Sequence, residues 1–555
     1  MNVFVLIKTA CQSGCYEQKH CRLVFSRGRN YLCRGMKRYS LIVLSVFLGA
    51  MELFSQPLCG GRPVSVRKTL PQLRAVSQLP SRQQLMQGES AATLNSRDAF
   101  AVPILTNLNP SNSGQWECAE GVSVWRLAIS SPNAFSLNLI FTDFYLPHGA
   151  ELYIYNSDTT VVLGAYTADN NADFLPTAPI RGDMVIVEYN EPDSVDFQGF
   201  FNIVQVAHDF KGAFAASADV AKTQCHFAPP TGQWTDEARA ICRILVGGTT
   251  LCTGTLLATA DHSFEPYVLT ARHCIYSEKM AQSSLFFFNY DTTENAGQQC
   301  VAGARLVAAK DNDKGFLDFS LVKLNGAIPE DYNVYYAGWD ATADTAIGGG
   351  VCLHHPSGSA MAMAVATDTL RAASYRNFDK LTFFNVAQWA SGATEQGSSG
   401  APLFDANHRV VGLLAGGDSD CDYPMNDYFQ MFSAAYDRYS FDSLQLKCWL
   451  NPLNGNILQT NGAYPPTTGV RHSAADVCLI ATPNPCTTEV SFSAHGRSIK
   501  CVDIYDIVGN QLITANVDGR QPVIVDVAKL QPGPYVCRVT FDNGTSESII
   551  LIRDI

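Results

Sequence analysis

The sequence predicts an all-β protein of several domains, and three observations support this. Its 555 residues exceed one small module and, at roughly 150 residues per domain, suggest three or four domains. Only 16% of the residues are charged, against roughly 25% in an average soluble domain, and no low-complexity tract interrupts the chain, so most of it should fold. Short strand-like runs separated by turns recur in its N-terminal and C-terminal parts.

The charge distribution argues against a nucleic-acid-binding protein. The chain holds 39 Lys plus Arg and 51 Asp plus Glu. Residues 1–38 contain eight basic residues and one Glu, so the remainder carries 31 basic and 50 acidic residues, a net charge of −19. A surface of that sign repels phosphate backbones, and we expect no nucleic-acid partner.

The N-terminus is typical of an exported protein. Eighteen cysteines favour an oxidising compartment, where disulfides persist. Residues 36–55 are predicted to be a signal peptide, because two basic residues precede the apolar run 40–51 and Glu52 interrupts it before it could span a bilayer. Residues 1–35 form a doubtful leader, and we expect translation to start at Met36. The alternative is a single membrane anchor.

A first β-rich module is predicted over residues 100–210. There Leu137, Leu139 and Phe141 alternate with polar residues, as in a half-buried strand, and further strand-like runs follow. A β-sandwich fits this pattern. The module has no cluster of His, Asp and Ser that would indicate chemistry, so its predicted role is structural. Residues 211–222 are small and weakly patterned, as in an exposed linker.

Three short segments within residues 223–452 together indicate nucleophilic catalysis. His273 ends a buried strand, Asp318 lies in an apolar strand where a carboxylate needs a hydrogen-bonded partner, and Ser399 lies in a Gly-Ser-Ser-Gly loop. A serine hydroxyl needs an imidazole to accept its proton, and the imidazole needs a carboxylate to orient it. The glycine-flanked loop can aim two backbone N–H groups at one point, as an oxyanion hole requires.

With these residues in His, Asp, Ser order, residues 223–452 resemble the trypsin-like (chymotrypsin-fold) serine endopeptidases, and more closely the bacterial lysyl endopeptidases. Other motifs extend the resemblance: Cys252-Thr253-Gly254, Ala337-Gly338-Trp339, His354-His355-Pro356, Glu395-Gln396-Gly397 and Val410-Val411-Gly412. The resemblance implies a double β-barrel. It also implies that His273 is the general base, Asp318 orients it, Ser399 is the nucleophile, and the N–H groups of Gly397 and Ser399 form the oxyanion hole.

The resemblance further implies a substrate pocket with Asp427 at its base and with Ala415 and Gly416 in its wall. A carboxylate there would select Lys or Arg by charge pairing. The sequence departs from the family at two points: Ala415 replaces a pocket histidine, and residues 374–378 lack an expected tryptophan. A strict preference for Lys therefore stays open. The alternative interpretation of Asp427 is a solvated loop carboxylate.

Two disulfides are implied by the same resemblance: Cys252 with Cys274, and Cys225 with Cys421. The family's partner for Cys300 is missing, and Cys242 is the candidate to replace it.

Adjacent His354 and His355 could suggest a metal site, but no Cys or carboxylate pattern completes one. We expect structural roles for both residues, and neither a metal nor a cofactor.

Residues 476–555 form a second β-rich unit after a linker at 453–475 that is rich in Gly, Asn, Thr and Pro. The unit has an Asn-Pro opening, the strand Ile504-Tyr505-Asp506 and a Leu-x-x-Gly-x-Tyr strand ending at Tyr535. This pattern resembles the C-terminal sorting domain of the type IX secretion system. The resemblance implies the secretion machinery as a partner and release or attachment at the cell surface.

The combined prediction is a secreted serine endopeptidase that cuts protein or peptide substrates after Lys, or also after Arg, and acts as a monomer. It would be made as a zymogen, with residues 56–222 as a propeptide removed by self-cleavage at Lys211 or Lys222. One alternative is a serine endopeptidase with Glu or apolar preference. Another is a catalytically silent surface adhesin that kept a protease fold.

Overall fold

The computed structural model describes residues 61–87 except 69, 99–214 except 120, 225–466 with gaps at 230–231, 291–298, 310–315, 343–344 and 454, and 479–553 with gaps at 483, 485, 495–497, 507–508, 517–521 and 543–545. The expected leader and signal peptide lie outside the described residues, as do Lys222 and most of the 211–222 linker. No helix in this described part is long and apolar enough to cross a membrane. All of it belongs to one compact unit, Leu53–Ile555.

The N-terminal module is a sandwich of two sheets. Its elements are α1 (Val64–Arg67), β1 (Val76–Gln78), α2 (Arg82–Gln87), β2 (Ala101–Leu108), β3 (Gln115–Cys118), β4 (Val122–Ser130), β5 (Ser136–Tyr145), β6 (Glu151–Asn156), β7 (Val162–Tyr166), β8 (Ala172–Pro176), β9 (Ile180–Arg181), β10 (Met184–Pro192) and β11 (Phe200–Asp209). One sheet has the order β1-β4-β10-β6-β7 with β3 beside β4, and the other has the order β2-β11-β5-β8 with β9 beside β5. Apolar side chains of both sheets, including Trp125, Phe141 and Phe201, form one core.

Strand β5 is more deeply buried than its alternating pattern predicts. Its polar residues Ser136 and Asn138 are buried together with its apolar ones. Ser136 donates to Asp209 Oδ2 at 2.8 Å, and Asn138 Nδ2 donates to the carbonyl oxygen of Gly248 at 3.0 Å. Because Gly248 belongs to the next domain, the polar face of β5 is a contact surface between domains.

Residues 241–324 form a first barrel. Its elements are β12 (Ile241–Val246), β13 (Thr250–Leu257), β14 (Tyr267–Thr270), α4 (Glu278–Gln282), β15 (Leu285–Phe288), β16 (Cys300–Ala302), β17 (Ala304–Ala309) and β18 (Ser320–Leu324), preceded by α3 (Thr235–Ala238). The sheet order is β16-β15-β12-β13-β14-β18-β17. All seven strands contribute to one buried cluster that includes Ile244, Leu256, Phe286 and Val322. A sheet whose strands all face one core wraps around it as a barrel does.

A second barrel follows in the chain. Its elements are β19 (Trp339–Asp340), β20 (Ala346–Ile347), β21 (Gly350–His354), β22 (Ala362–Ala366), β23 (Leu370–Ala373), β24 (Phe383–Gln388), β25 (Pro402–Phe404), β26 (Val410–Gly417), β27 (Met425–Met431), α5 (Phe432–Asp437), α6 (Lys447–Leu450) and β28 (Gln459–Thr460). The main order is β20-β23-β24-β27-β26-β25-β21-β22. Strands β21 to β27 share a core that includes Leu403, Val411 and Phe429. A further cluster with Leu269, Phe319, Trp339 and Leu413 joins the two barrels.

The C-terminal unit has two small sheets around its own core. Its strands are β29 (Leu479–Thr482), β30 (Glu489–Ala494), β31 (Ile499–Tyr505), β32 (Gln511–Asn516), β33 (Val523–Asp526), β34 (Gly533–Phe541) and β35 (Ser546–Arg553). The orders are β29-β30-β33 and β32-β31-β34-β35, and Phe492, Ile504 and Val539 lie in the shared core. With its two sandwiches and two barrels, the chain has the predicted all-β fold class.

Candidate active site

The first pair of the candidate site comes from two adjacent strands. Strand β14 runs antiparallel to β18, with Thr270 opposite Ser320, so the segment that follows β14 and the segment that precedes β18 lie at the same end of the sheet. There His273 Nδ1 lies 2.7 Å from Asp318 Oδ2, and the backbone N–H of His273 donates to Oδ1 at 3.0 Å. A carboxylate on Nδ1 favours the tautomer in which Nε2 can accept a proton.

Asp318 is buried and His273 is partly exposed, as expected if Asp318 only orients the imidazole and His273 exchanges protons with a substrate. The Asp318 side chain is 3% exposed and the His273 side chain is 38% exposed. The backbone N–H of Asp318 donates to Gln430 Oε1 at 3.0 Å, and Gln430 Nε2 donates to the carbonyl oxygen of Thr382 at 2.9 Å. Gln430 is fully buried in the second barrel, so it fixes Asp318 relative to that barrel. Sequence reasoning missed Gln430, which lies 112 residues from Asp318.

The Ser399 loop lies against the strands that deliver His273. The carbonyl oxygen of Ser399 accepts from the N–H of Thr253 at 2.9 Å and lies 3.8 Å from Cys274 Sγ. Gly400 has φ +84°, and a Cβ on it would meet the carbonyl oxygen of Thr253 at 2.4 Å. Only glycine permits this approach, which brings the serine loop beside the segment that carries His273.

Two backbone N–H groups of the loop are left for a ligand. The carbonyl oxygen of Gln396 accepts from the N–H of Ser357, so the N–H of Gly397 on the same trans peptide points the other way. The carbonyl oxygen of Ser398 accepts from Ala401 at 2.9 Å, which likewise turns the N–H of Ser399 away. Within the described residues neither N–H donates to a protein acceptor. The pair can bind an oxyanion.

Two buried histidines, His354 and His355, support the backbone around the Ser399 loop. His354 Nδ1 lies 2.7 Å from Ser398 Oγ, and Ser398 Oγ also accepts from the N–H of Glu395 at 3.1 Å. His355 Nδ1 lies 3.0 Å from the carbonyl oxygen of Ser359. Burial holds the pKa of His354 well below its usual value and lowers that of His355 to about 3. Both rings are therefore neutral at physiological pH and serve as hydrogen-bonding supports.

Both disulfides implied by the resemblance are present at the site. Cys252 pairs with Cys274, which joins β13 to the residue after His273, and Cys225 pairs with Cys421. The suggested Cys242–Cys300 pair is absent: both are free thiols. Cys242 points into the core of the first barrel, whereas Cys300 packs in a different cluster, which explains why the two do not meet.

Cys225 and Cys421 form a cluster with His226 and Glu395 whose candidate metal-ligating atoms all lie within 4.8 Å. The two sulfur atoms are consumed by the disulfide, which leaves one imidazole and one carboxylate. His226 Nε2 lies 3.3 Å from Glu395 Oε2, and this hydrogen bond lowers the pKa of Glu395. One imidazole and one carboxylate do not make a metal centre. The His226–Glu395 hydrogen bond instead connects the segment after Cys225 to the loop before Gly397.

Asp427 lies in a strand and is buried, so it is not a solvated loop carboxylate. It belongs to β27, opposite Gly417 of β26, and is 1% exposed. Its Oδ2 accepts from Trp389 Nε1 at 2.7 Å and from Thr394 Oγ1 at 2.6 Å. Burial raises its pKa to about 6. Within the described residues no Lys, Arg or His forms an ion pair with this carboxylate.

Two tyrosines pack beside Ala415 in the part of the second barrel that holds Asp427. Tyr375 stacks on Tyr428 with ring centres 4.3 Å apart, and Ala415 packs in the same cluster. Tyr375 Oη lies 3.2 Å from where a Cβ on Gly416 would be. Within the described residues, Tyr375 Oη is a buried hydroxyl oxygen without a hydrogen-bond partner. Ser419 lies beside the Asp427 carboxylate, and its hydrogen bonding to that carboxylate opposes the rise in pKa that burial causes. Nothing in the local sequence indicates that these two hydroxyl groups lie near Asp427.

Comparisons with known families match two parts of the chain. Residues 216–431 match the model of the lysyl endopeptidase C-terminal domain, and residues 482–553 match the secretion system C-terminal sorting domain. A lysyl endopeptidase of Pseudomonas aeruginosa is 30% identical over 209 residues, which are 35% of this chain and 44% of that protein. The chain thus spans less than half the length of this curated relative.

Solved structures of proteases also align with the chain. A Glu endopeptidase in complex with MPD is 18% identical, with a TM-score of 0.25, over 35% of this chain and 85% of that one. Neuropsin, a serine protease of mouse brain, is 15% identical, with a TM-score of 0.28, over 39% and 96%. Both TM-scores are below 0.5, so the double-barrel architecture is inferred from the strand order and the cores of this chain.

The two family matches confirm the resemblances predicted from sequence. Residues 216–431 are similar to lysyl endopeptidases, and residues 482–553 carry a type IX sorting domain, so the protein is secreted or held at the cell surface.

Proposed function

We propose that the protein is a secreted serine endopeptidase that hydrolyses peptide bonds after lysine. The protease class is supported by the His273–Asp318 hydrogen bond beside a Ser399 loop with two unpaired N–H groups. The observation that carries the specificity is the buried Asp427 carboxylate without a cationic partner among the described residues. Burying an unpaired carboxylate is costly, and a cationic substrate side chain would offset that cost.

In the proposed mechanism, His273 Nε2 accepts the proton of Ser399 Oγ while Oγ attacks the carbonyl carbon of the scissile bond. The N–H groups of Gly397 and Ser399 stabilise the oxyanion. Asp318 stays ionised and stabilises the imidazolium. The imidazolium then protonates the leaving amine, and the acyl-enzyme remains. Water then attacks the ester while His273 Nε2 takes its proton, and the imidazolium returns that proton to Ser399 Oγ as the acyl group leaves as a carboxylic acid.

The hydrogen bonds of Asp427 favour Lys over Arg. Trp389 and Thr394 already donate to Oδ2, so a guanidinium cannot form its usual two parallel bonds with both carboxylate oxygens. An ammonium group has three donors and needs only one carboxylate oxygen. The hydroxyl group of Tyr375, which has no hydrogen-bond partner among the described residues, is suited to accept another of its hydrogens.

We also propose the domain limits predicted from sequence: a propeptide at 56–222, the protease at 223–452, the linker at 453–475 and the sorting domain at 476–555. Of the two candidate self-cleavage sites, Lys222 is favoured over Lys211. Asp209 Oδ1 accepts from the backbone N–H of Lys211 at 2.9 Å and from that of Gly212 at 2.7 Å. Because a protease binds its substrate as an extended chain, this turn protects the Lys211–Gly212 bond. In this proposal the enzyme acts as a monomer on protein or peptide substrates and is exported by the type IX machinery.

Hydrolysis of matched Lys, Arg, Glu and Phe reporter peptides by the secreted, processed protein tests the proposal. We expect the highest kcat/KM for Lys, a lower value for Arg, and no hydrolysis by Ser399→Ala. Edman sequencing of the processed wild-type chain should give Thr223 as its first residue, and the variant should remain unprocessed. Preferred cleavage after Glu or Phe would refute the Asp427 pocket. Inactivity of a correctly folded, processed chain on every peptide would refute the protease and favour a binding protein.

A further inference from the structure

The N-terminal module and the first barrel share an apolar core. Phe100, Ala101 and Ala207 of the module pack with five large side chains of the first barrel: Leu245, Leu251, Leu285, Phe287 and Tyr290. Those five are all at most 8% exposed. Separation of the two parts would open this apolar face of the barrel to water.

The module also holds the turn between β12 and β13. Asn138 Nδ2 donates to the carbonyl oxygen of Gly248 at 3.0 Å, and Gln205 Nε2 donates to that of Gly247 at 2.8 Å. The backbone N–H of Phe100 donates to the carbonyl oxygen of Thr249 at 2.9 Å. Directional hydrogen bonds thus fix the module on the barrel in one orientation.

A buried arginine of the barrel depends on the module for part of its surroundings. Arg243 is fully buried, and its guanidinium lies between the Phe214 ring at 4.0 Å and the Tyr290 ring at 4.4 Å. Its Nη2 donates to the carbonyl oxygen of Ala213 at 3.3 Å. Burial lowers the pKa of Arg243. Cation–π contacts of this kind are strongest when water is excluded, as it is here.

We infer that the N-terminal module stays bound to the first barrel after the linker is cut, so that the mature protease is a non-covalent complex of two chains. This inference rests on the cleavage in the proposed function. The contacts above involve residues up to Phe214 and residues from Arg243 onward, so a cut between 215 and 224 removes none of them. Among the described residues, these contacts include none of His273, Ser399 or Asp427, so this interface is separate from the candidate site.

The inference can be tested without any proteolysis by this protein. The full chain with Ser399→Ala receives the recognition sequence of an unrelated protease between residues 215 and 224, and is cut there in vitro. We expect both fragments to co-elute in size-exclusion chromatography at low micromolar concentration, in a 1:1 ratio by intact mass. Elution of the fragments in separate peaks under native conditions would overturn the inference.

Matched variants then locate the interface. Gln205→Ala removes one hydrogen bond to the barrel, and we expect the dissociation constant of the two fragments to rise about 3- to 10-fold. Phe100→Asp should prevent co-elution, because it places a carboxylate in the shared core. The control Leu105→Asp changes a residue of β2 that is 82% exposed and should leave co-elution intact. Equal binding by Gln205→Ala, Phe100→Asp and the control would also overturn the inference.

Co-elution in a protein that cleaves no peptide would refute the proposed function and leave standing only the stable association of the module with the barrel. Separation of the two fragments of an enzyme that cleaves Lys peptides would refute the two-chain inference and leave the proposed function standing.

Discussion

Replacing Asp427 by Asn should reduce hydrolysis after Lys and increase the stability of the protein. The amide oxygen of Asn can still accept from Trp389 and Thr394, so the strand keeps its local hydrogen bonds while the charge is removed. A buried substrate ammonium then lacks its counter-ion. Loss of one partner of a buried ion pair costs roughly 3–5 kcal/mol, which corresponds to about a 150- to 5,000-fold loss of kcat/KM for Lys peptides.

The stability change follows from the raised pKa of this carboxyl group. Its pKa rises from 3.8 to about 6 because burial penalises the charge. Between pH 4 and pH 6 the unfolded chain releases the proton while the folded protein retains it, so the free energy of unfolding falls as pH rises. Above pH 6 the folded state has lost about 3 kcal/mol, at 1.36 kcal/mol per pH unit. The Asn variant should therefore equal the wild type near pH 4 and exceed it by about 3 kcal/mol at pH 8.

The assay pairs steady-state kinetics on Lys and Phe peptides with urea unfolding at pH 4 and pH 8. Asp422→Asn is the matched control, because Asp422 is an exposed carboxylate of the same region and should change neither quantity. Unchanged Lys hydrolysis in Asp427→Asn would refute the pocket. An equal stability difference at both pH values would refute the role of the raised pKa.

Three further changes probe the rest of the site. Gln430→Leu leaves the backbone N–H of Asp318 without its acceptor. We expect a loss of roughly 1–3 kcal/mol in urea unfolding and a lower kcat, with an unchanged Lys to Arg preference in the peptide panel. Gly417→Ala places a methyl group 2.3 Å from Asp427 Oδ1 and should reduce hydrolysis of Lys peptides more than tenfold. Gly455→Ala is the control, because its methyl group meets no atom closer than 3.6 Å, and it should retain this activity. Replacing both Cys252 and Cys274 by Ser should lower the free energy of unfolding by about 3 kcal/mol for a loop of this length, and an unchanged urea midpoint would contradict this.

The candidate catalytic residues could be predicted because their chemistry restricts residue type and local sequence. An imidazole at a strand end, a carboxylate in an apolar strand and a serine between glycines are each visible within a few residues of sequence. Whether these three side chains lie close together depends on which strands are neighbours in the sheets. The family resemblance predicted that strand arrangement. The fold class was predictable for the same reason, since strand periodicity is a local signal.

The supporting contacts could not be predicted, because they join residues far apart in the chain. Asn138 and Gly248 are 110 residues apart, and Trp389 and Asp427 are 38 apart. Nothing in the residues around Asn138 indicates that the polar face of its strand meets another domain. Nor does the sequence near Tyr375 indicate that its hydroxyl group is buried and has no partner in the part of the chain that the structure describes. Such long-range contacts depend on how the folded chain packs. Many different residue types can fill the same volume, so the local sequence does not identify the partner.

For the proposed protease function, the Cys225–Cys421 disulfide affects what happens when one molecule cuts another. It closes a loop over a separation of 196 residues that contains His273, Asp318 and Ser399. A secreted protease repeatedly meets other copies of itself, and surface loops are where such nicks occur. A single cut anywhere between the two cysteines leaves both pieces joined by a covalent bond. The nicked molecule cannot fall apart by dilution, and both halves of the site stay on one particle.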